Sequence, residues 1–471
     1  MNKINTKNYF IERDKIVEDN IYLVGNVLNV HEKKVDEYLD RAKQEFKKSF
    51  NPIPYNMPVL RKPKMWDTSI YDFCLNLPKG SDLHVHGTSL MPMKLCIDFC
   101  IRHPSLLICL DDYILYTKRN LPKNKTCLTV KQALDRKLLS YEDLYNRWTI
   151  NGVKHNENRW TYFENIFSYF EIVDYDLDLL YDYYLESFEY YVSRNIDHLE
   201  IHLLIPEDED FAYKTIKTIR KAYYKVKDHH PELIVSLIGA GMKLEGFDLD
   251  YAKDRLESCF ALQQAIKDDY YKDDVQDFIL GFDLINEEDI SKQLKEYAPM
   301  LLEFSKKHPD FKYFLHCGES LDPRSSNLID AYLLGTTRVG HGLNLYRYPN
   351  LLKEYVNKEI CLEICPISNQ VLQYTRDIRL HPGLEYIKRG VTIALCSDDP
   401  MYFENESLTD DFFAAIVCWD LHLAEIKQLC INSIMYSAIS KKHKRQLLKN
   451  WNSKWKAFIN EYENRVRWTL F

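Results

Sequence analysis

Two histidines one residue apart close the segment SDLHVH, residues 81 to 86, which alternates like a β-strand. Side chains two apart on a strand share a face, so His84 and His86 aim at one point, and imidazole is the commonest protein ligand for a metal such as zinc. Taken alone, the pair is equally compatible with two hydrogen-bonded polar residues. Other segments carry the argument further. HCGES supplies His316, Gly318 and Glu319, RVGHG supplies His341, and CSDDP supplies Asp398 and Asp399, each at the end of a short apolar run. Each has a plainer reading: Asp399 before Pro400 as a turn or helix cap, Glu319 as a solvated loop acid, His341 as a core histidine. Their shared position at strand ends favours a metal site. Three of these histidines and one aspartate suit a single zinc with an open position for water, whose pKa the metal lowers to about 7. A two-metal hydrolase on such a scaffold usually needs a bridging group, often a modified lysine on the fourth strand, and FILGFDL has no lysine.

The positioning elements are legible as eight strand candidates separated by longer helical stretches: SDLHVH, DHLEIHLL, LIVSLIG, FILGFDL, YFLHC, TRVGHG, ICLEIC and VTIALC. This order predicts an α/β fold, a (β/α)8 TIM-type barrel of the metal-dependent hydrolase kind, whose active site is built at the C-terminal ends of the strands. The gap between the first two strands, about residues 105–158, is too long for one helix and predicts an inserted subdomain. Residues 10–50 are charged and helical, with Val35, Leu39, Ala42 and Phe46 at helical spacing and little else to bury, so this arm needs a partner surface. The expected organisation is an N-terminal helical arm over 1–75, used for homodimerisation, and a barrel over 76–471.

Composition removes other classes. The 471 residues are 46% hydrophobic, enough for a large core, and 62 basic against 70 acidic residues give a net charge of −8. A short basic stretch, Lys441 to Lys449, reads as a solvated helix face, so nucleic-acid binding is disfavoured. No apolar run reaches membrane-span length and the N-terminus lacks a signal-peptide core, which places the chain, as written, in the cytoplasm. Among twelve cysteines, Cys361, Cys365 and Cys396 lie in apolar runs that predict buried thiols, whereas Cys109 and Cys127 flank an irregular segment where an oxidising compartment would allow a disulfide.

The motifs HVH, HCGE, RVGHG, CPISNQVL and SDDP, in that order, resemble the adenosine deaminase family over nearly the whole chain. LPKG, WTYFENIF, GFDLINEED and IKQLCINSI resemble its adenosine deaminase-like growth factor branch, which has an N-terminal dimerisation arm and an insert after the first strand and is a secreted branch, leaving secretion open. The resemblance implies a zinc-dependent hydrolytic deaminase that converts adenosine or 2′-deoxyadenosine to inosine and ammonia through zinc-bound hydroxide attacking purine C6. It makes His84, His86, His316 and Asp398 the zinc ligands. Glu319 then protonates N1, His341 orients and deprotonates the water, and Asp399 bonds N7, while Trp160, Gly318 and Asn286 fall at the substrate. For Trp160 a place in the core is an equal alternative. Gly87 stands where the branch has an aspartate that reaches the ribose, and Asn286 where the family has a glycine. The stretch GAGMK lacks a histidine common in the branch. These departures leave a related nucleoside or nucleotide, or a growth-factor-like binding role with residual activity, as alternatives.

Overall fold

The computed structural model describes residues 10–13, 15, 27–50, 63–154, 158–244, 246–269 and 278–468. Eight parallel strands form its centre: β1 (Gly80–His86), β2 (Ile196–Leu204), β3 (Ile234–Met242), β4 (Ile279–Ile285), β5 (Lys312–Tyr313, resuming at His316–Cys317), β6 (Arg338–His341), β7 (Cys361–Ile364) and β8 (Ile393–Leu395). Pairing runs β1 to β5 in chain order, then from the second half of β5 through β6 and β7 to β8. The ring closes where Asp398 N–H donates to the carbonyl of His84 (2.9 Å) and His86 N–H to that of Asp398 (3.0 Å). All eight expected strands are present, with boundaries shifted by a few residues. Nearly all their residues are buried, polar ones included, because helices cover the outer face and side chains fill the inside.

Helix α1 (Val30–Ser49) starts at Asn29, whose side chain accepts from His31 N and Glu32 N while Glu32 returns a bond to Asn29 N. Val35, Leu39, Ala42 and Phe46 make up its buried face, as their spacing predicts. The covering surface belongs to the same chain. Tyr38 packs on Tyr462, Phe46 on Phe413, and Glu32 accepts bonds from Trp455 and Lys427. Each apolar side chain so buried contributes roughly 1.5–3 kcal/mol. The partner surface this face needs is thus supplied, for the described residues, by the chain itself. The rest of the expected arm lies outside the described residues except for 10–13, 15, 27–29 and 63–75.

Residues 105–158 hold a three-stranded antiparallel sheet (Leu107–Cys109, Leu115–Tyr116, Cys127–Thr129) and two short helices, Val130–Asp135 and Tyr141–Trp148. Cys109 and Cys127 pair across this sheet and are disulfide-bonded, while Cys361, Cys365 and Cys396 are buried thiols, as expected. The insert continues into α2 (Arg159–Ile166), which starts at the Asn158 cap and joins the strand-end rim through Arg159, whose guanidinium donates to Val371 O. Helices Leu408–Cys418, α3 (Leu423–Met435) and α4 (Lys441–Trp468) complete the chain, and α1 lies against the last two. Among the described residues no helix is long and apolar enough to cross a membrane.

Candidate active site

β1 delivers His84 and His86 to the same side of the sheet, and their rings lie 5.3 Å apart. The ring of His316, from β5, lies 4.4 Å from His84 and 5.3 Å from His86, so the three imidazoles can offer nitrogens to one ion. Asp398, just past β8, brings Oδ1 to 3.3 Å from His86 Nε2 and 4.0 Å from His84 Nε2. His341 closes β6 with Nε2 3.9 Å from Asp398 Oδ2 and Nδ1 3.4 Å from Glu319 Oε1. The seven residues expected to act together, His84, His86, His316, Glu319, His341, Asp398 and Asp399, are therefore gathered at the C-terminal rim.

Local backbone and packing serve this convergence. His341 (φ 62°) and Asp398 (φ 62°) both adopt the left-handed region, a conformation that costs a non-glycine residue on the order of 1–3 kcal/mol and clusters at functional sites. At Gly340 a Cβ would come within 3.0 Å of His84 Cε1 and 3.2 Å of His316 Cα, so the glycine of RVGHG admits both rings.

The electrostatics suit a divalent cation. Burial lowers His84, and holds His316 and His341 at about 3, leaving neutral imidazoles with free lone pairs. Burial would raise Asp398, but His86, His341 and His84 outweigh it and hold the carboxylate anionic. His84 Nε2 is buried with no hydrogen-bond partner. Three imidazoles, one of them with an orphaned nitrogen, and one carboxylate form a donor set fitted to zinc.

Around this set is a tier of residues that the motif search missed. Glu363 of β7 lies 2.7 Å from His84 Nδ1, and Asp283 of β4 accepts from both His316 Nδ1 (2.6 Å) and His202 Nδ1 (2.7 Å). These bonds put the proton on Nδ1 and turn Nε2 of His84 and His316 outward. Asn369, in CPISNQVL, donates to Glu319 Oε1 at 2.6 Å. Lys243, in the GAGMK stretch, is buried and donates to the carbonyl of His316 at 3.0 Å.

The three other substrate candidates border the rim. Trp160 of α2 is half-buried and donates through Nε1 to the Tyr374 hydroxyl at 2.8 Å, and the Tyr374 hydroxyl is in turn raised by burial and by Glu319. Asn286 follows β4 with φ 108°, a backbone setting suited to glycine, and its Oδ1 accepts from Glu287 N. Gly318 lies at φ 80° between His316 and Glu319. At Gly87 a Cβ would lie 2.9 Å from both Leu203 Cδ1 and the Tyr184 hydroxyl, so the absent side chain is replaced by neighbours. Next to it, Thr88 donates to Asp174 Oδ2 at 3.3 Å.

Comparison with known proteins agrees with this geometry. Residues 262–454 match the family model for adenosine deaminase. The chain is 28% identical to adenosine deaminase of Lutzomyia longipalpis, over 97% of this chain and 93% of that protein. It is 26% identical to human adenosine deaminase 2, over 92% and 89% respectively. In fold it is similar to the N6-methyl-AMP deaminase of Arabidopsis thaliana, with a TM-score of 0.59 and 16% identity over 81% of this chain and 98% of that one. The family match over residues 262–454 and the likeness to adenosine deaminases over nearly the whole chain mark the chain as a hydrolytic deaminase.

Proposed function

We propose that the chain converts adenosine or 2′-deoxyadenosine to inosine and ammonia, with one zinc held by His84, His86, His316 and Asp398. The observation that carries this reading is the gathering of the imidazoles of His84, His86 and His316 with the anionic carboxylate of Asp398, His84 Nε2 being unpartnered, and with Glu319 and Asp399 beside them. Zinc, when bound there, supplies a Lewis acid that lowers the pKa of water.

The protein's own groups do the rest. His341 faces the same space as Asp398 and is placed to hold the attacking water in line with C6 and receive its proton. Glu319 is pushed well above the usual carboxylate range by burial and then by Asp398, so it carries a proton at neutral pH. That proton goes to purine N1 as the C6–O bond forms; the amine then takes up the proton that His341 received, the C6–N bond breaks and ammonia leaves, and the C6 hydroxyl returns a proton to Glu319 as it becomes the carbonyl. Asp399 is raised to about 8, with burial and Asp398 outweighing the opposing charge of His86. Being protonated, it can donate to N7, which has only a lone pair to offer. Trp160 supplies an aromatic face at the rim, and the backbone at Gly318 and Asn286 borders the base.

A panel of adenosine, 2′-deoxyadenosine, AMP and adenine tests the substrate assignment. The two nucleosides are expected to give the highest kcat/KM, and a preference for AMP or adenine over both would overturn it. The bonded Cys109 and Cys127 pair favours an oxidising compartment over the cytoplasm.

A further inference from the structure

The mechanism above requires a particular oxygen of Glu319 to carry the proton toward the purine, and burial alone does not choose between two equivalent oxygens. A chain of hydrogen bonds outside the ligand set does. It begins at Gly383, whose backbone N–H can only donate and does so to His381 Nδ1 at 3.0 Å. With Nδ1 accepting, a neutral His381 must carry its proton on Nε2. Burial, with His341 adding to it, holds this imidazole at about 3, so it is neutral. Nε2 lies 3.1 Å from Asn369 Oδ1 and donates to it. The amide is thereby oriented with Nδ2 on the far side, where it donates to Glu319 Oε1 at 2.6 Å and faces His341 Nδ1 at 3.4 Å. His381, Asn369 and Glu319 are all buried, at 3%, 0% and 7% exposure, so water does not scramble the order.

We propose that His381 and Asn369 are positioning residues that make Glu319 Oε1 the accepting oxygen and thereby assign the transferable proton to Oε2. The direction of every bond follows from one backbone amide. The Glu319 backbone is held independently, its N–H donating to Glu288 Oε2 at 3.0 Å, so the relay acts on the side chain and the proton's site. Glu288 is itself held by the Ser325 hydroxyl. A misplaced donor group of this kind costs on the order of 10²-fold in rate.

This inference rests on the reading of Glu319 as proton donor, and a double-mutant cycle separates the two. In the zinc-loaded full chain, Asn369→Ser and His381→Leu are expected to lower kcat roughly 30- to 100-fold with KM changed less than about threefold, because positioning acts in the transition state. Made on top of Glu319→Gln, either change should cost less than about threefold more, since the group it positions is gone. His381→Gln keeps a donor toward Asn369 and should recover most of the rate. It also provides the reading if the leucine variant does not fold, with thermal midpoints measured throughout. An equal cost of Asn369→Ser in both backgrounds would overturn the relay while leaving Glu319 as the donor. A Glu319→Gln protein with full activity would overturn the donor reading, and the relay with it.

Discussion

Glu363 Oε2 lies 2.7 Å from His84 Nδ1, and the guanidinium of Arg338 holds the other oxygen of the same carboxylate and reaches on to Glu200. All four side chains are buried inside the barrel, so the ring proposed to offer Nε2 to zinc is braced from below by an ionic strut.

Glu363→Gln leaves the volume unchanged but replaces the charged acceptor. Metal retention against a competing chelator is expected to fall by about 10- to 100-fold, the range typical of losing an outer hydrogen bond to a ligand. Unchanged zinc affinity would show that the strut orients nothing.

Removing a ligand and removing the proton donor should differ in kind. His84→Ala is expected to lose zinc, whereas Glu319→Gln should keep it and lower turnover by roughly 10² to 10⁴. Zinc content by atomic absorption, beside the rate, distinguishes the two.

Much of this arrangement was legible in the sequence, because the strands are short apolar runs ending in histidine or acid and strand parity fixes which side chains share a face. The supporting residues were not singled out, although a signal existed: Asp283 and Glu363 sit inside runs otherwise apolar, and His202 is a buried strand residue, where a polar group must find a partner. Which partner depends on pairing between strands far apart in the chain, as with His84 and Glu363. The face of α1 was legible, but what covers it was not, since α4 lies about as far away as the chain allows and sequence periodicity says nothing about what covers a face.

That covering gives a stability prediction. Leu39 is fully buried, so Leu39→Ala should destabilise the protein by about 2–5 kcal/mol, read from denaturant unfolding. A cost below about 1 kcal/mol would mean that α1 is not docked on its own chain. Sedimentation of the full chain and of one lacking residues 1–50 then tests the separate proposal of a homodimer: a shift toward the monomer on deletion supports it, and a monomeric full chain refutes it.

The docking of α1 should also be pH-dependent. His422 is raised above its ordinary value by Asp36, 3.6 Å away on α1, against burial and the charge of Lys43. A histidine raised on folding contributes stability that is complete below its unfolded pKa of about 6.5 and is lost as the pH rises through the higher folded value. The advantage of the wild type over His422→Gln should therefore be larger at a pH of about 6 than at about 9. A gap that widens with pH would contradict the assignment.

Position 87 bears on substrate choice. A carboxylate there could accept a bond from a ribose 5′-hydroxyl worth about 1.5–3 kcal/mol, whereas Gly87 offers only backbone. Deamination of 5′-deoxyadenosine is expected within about tenfold of adenosine. A hundredfold or greater preference for adenosine would show another group reading that hydroxyl. Asp174, bonded to Thr88, is the first to replace, by Asn.

The central claim is tested most directly by giving adenosine to the protein loaded with one equivalent of zinc and following inosine and ammonia together. The account predicts both products in equal amounts, loss of turnover when zinc is stripped by a chelator, and recovery when zinc is restored. A zinc-loaded, folded protein that leaves both adenosine and 2′-deoxyadenosine unchanged would contradict it.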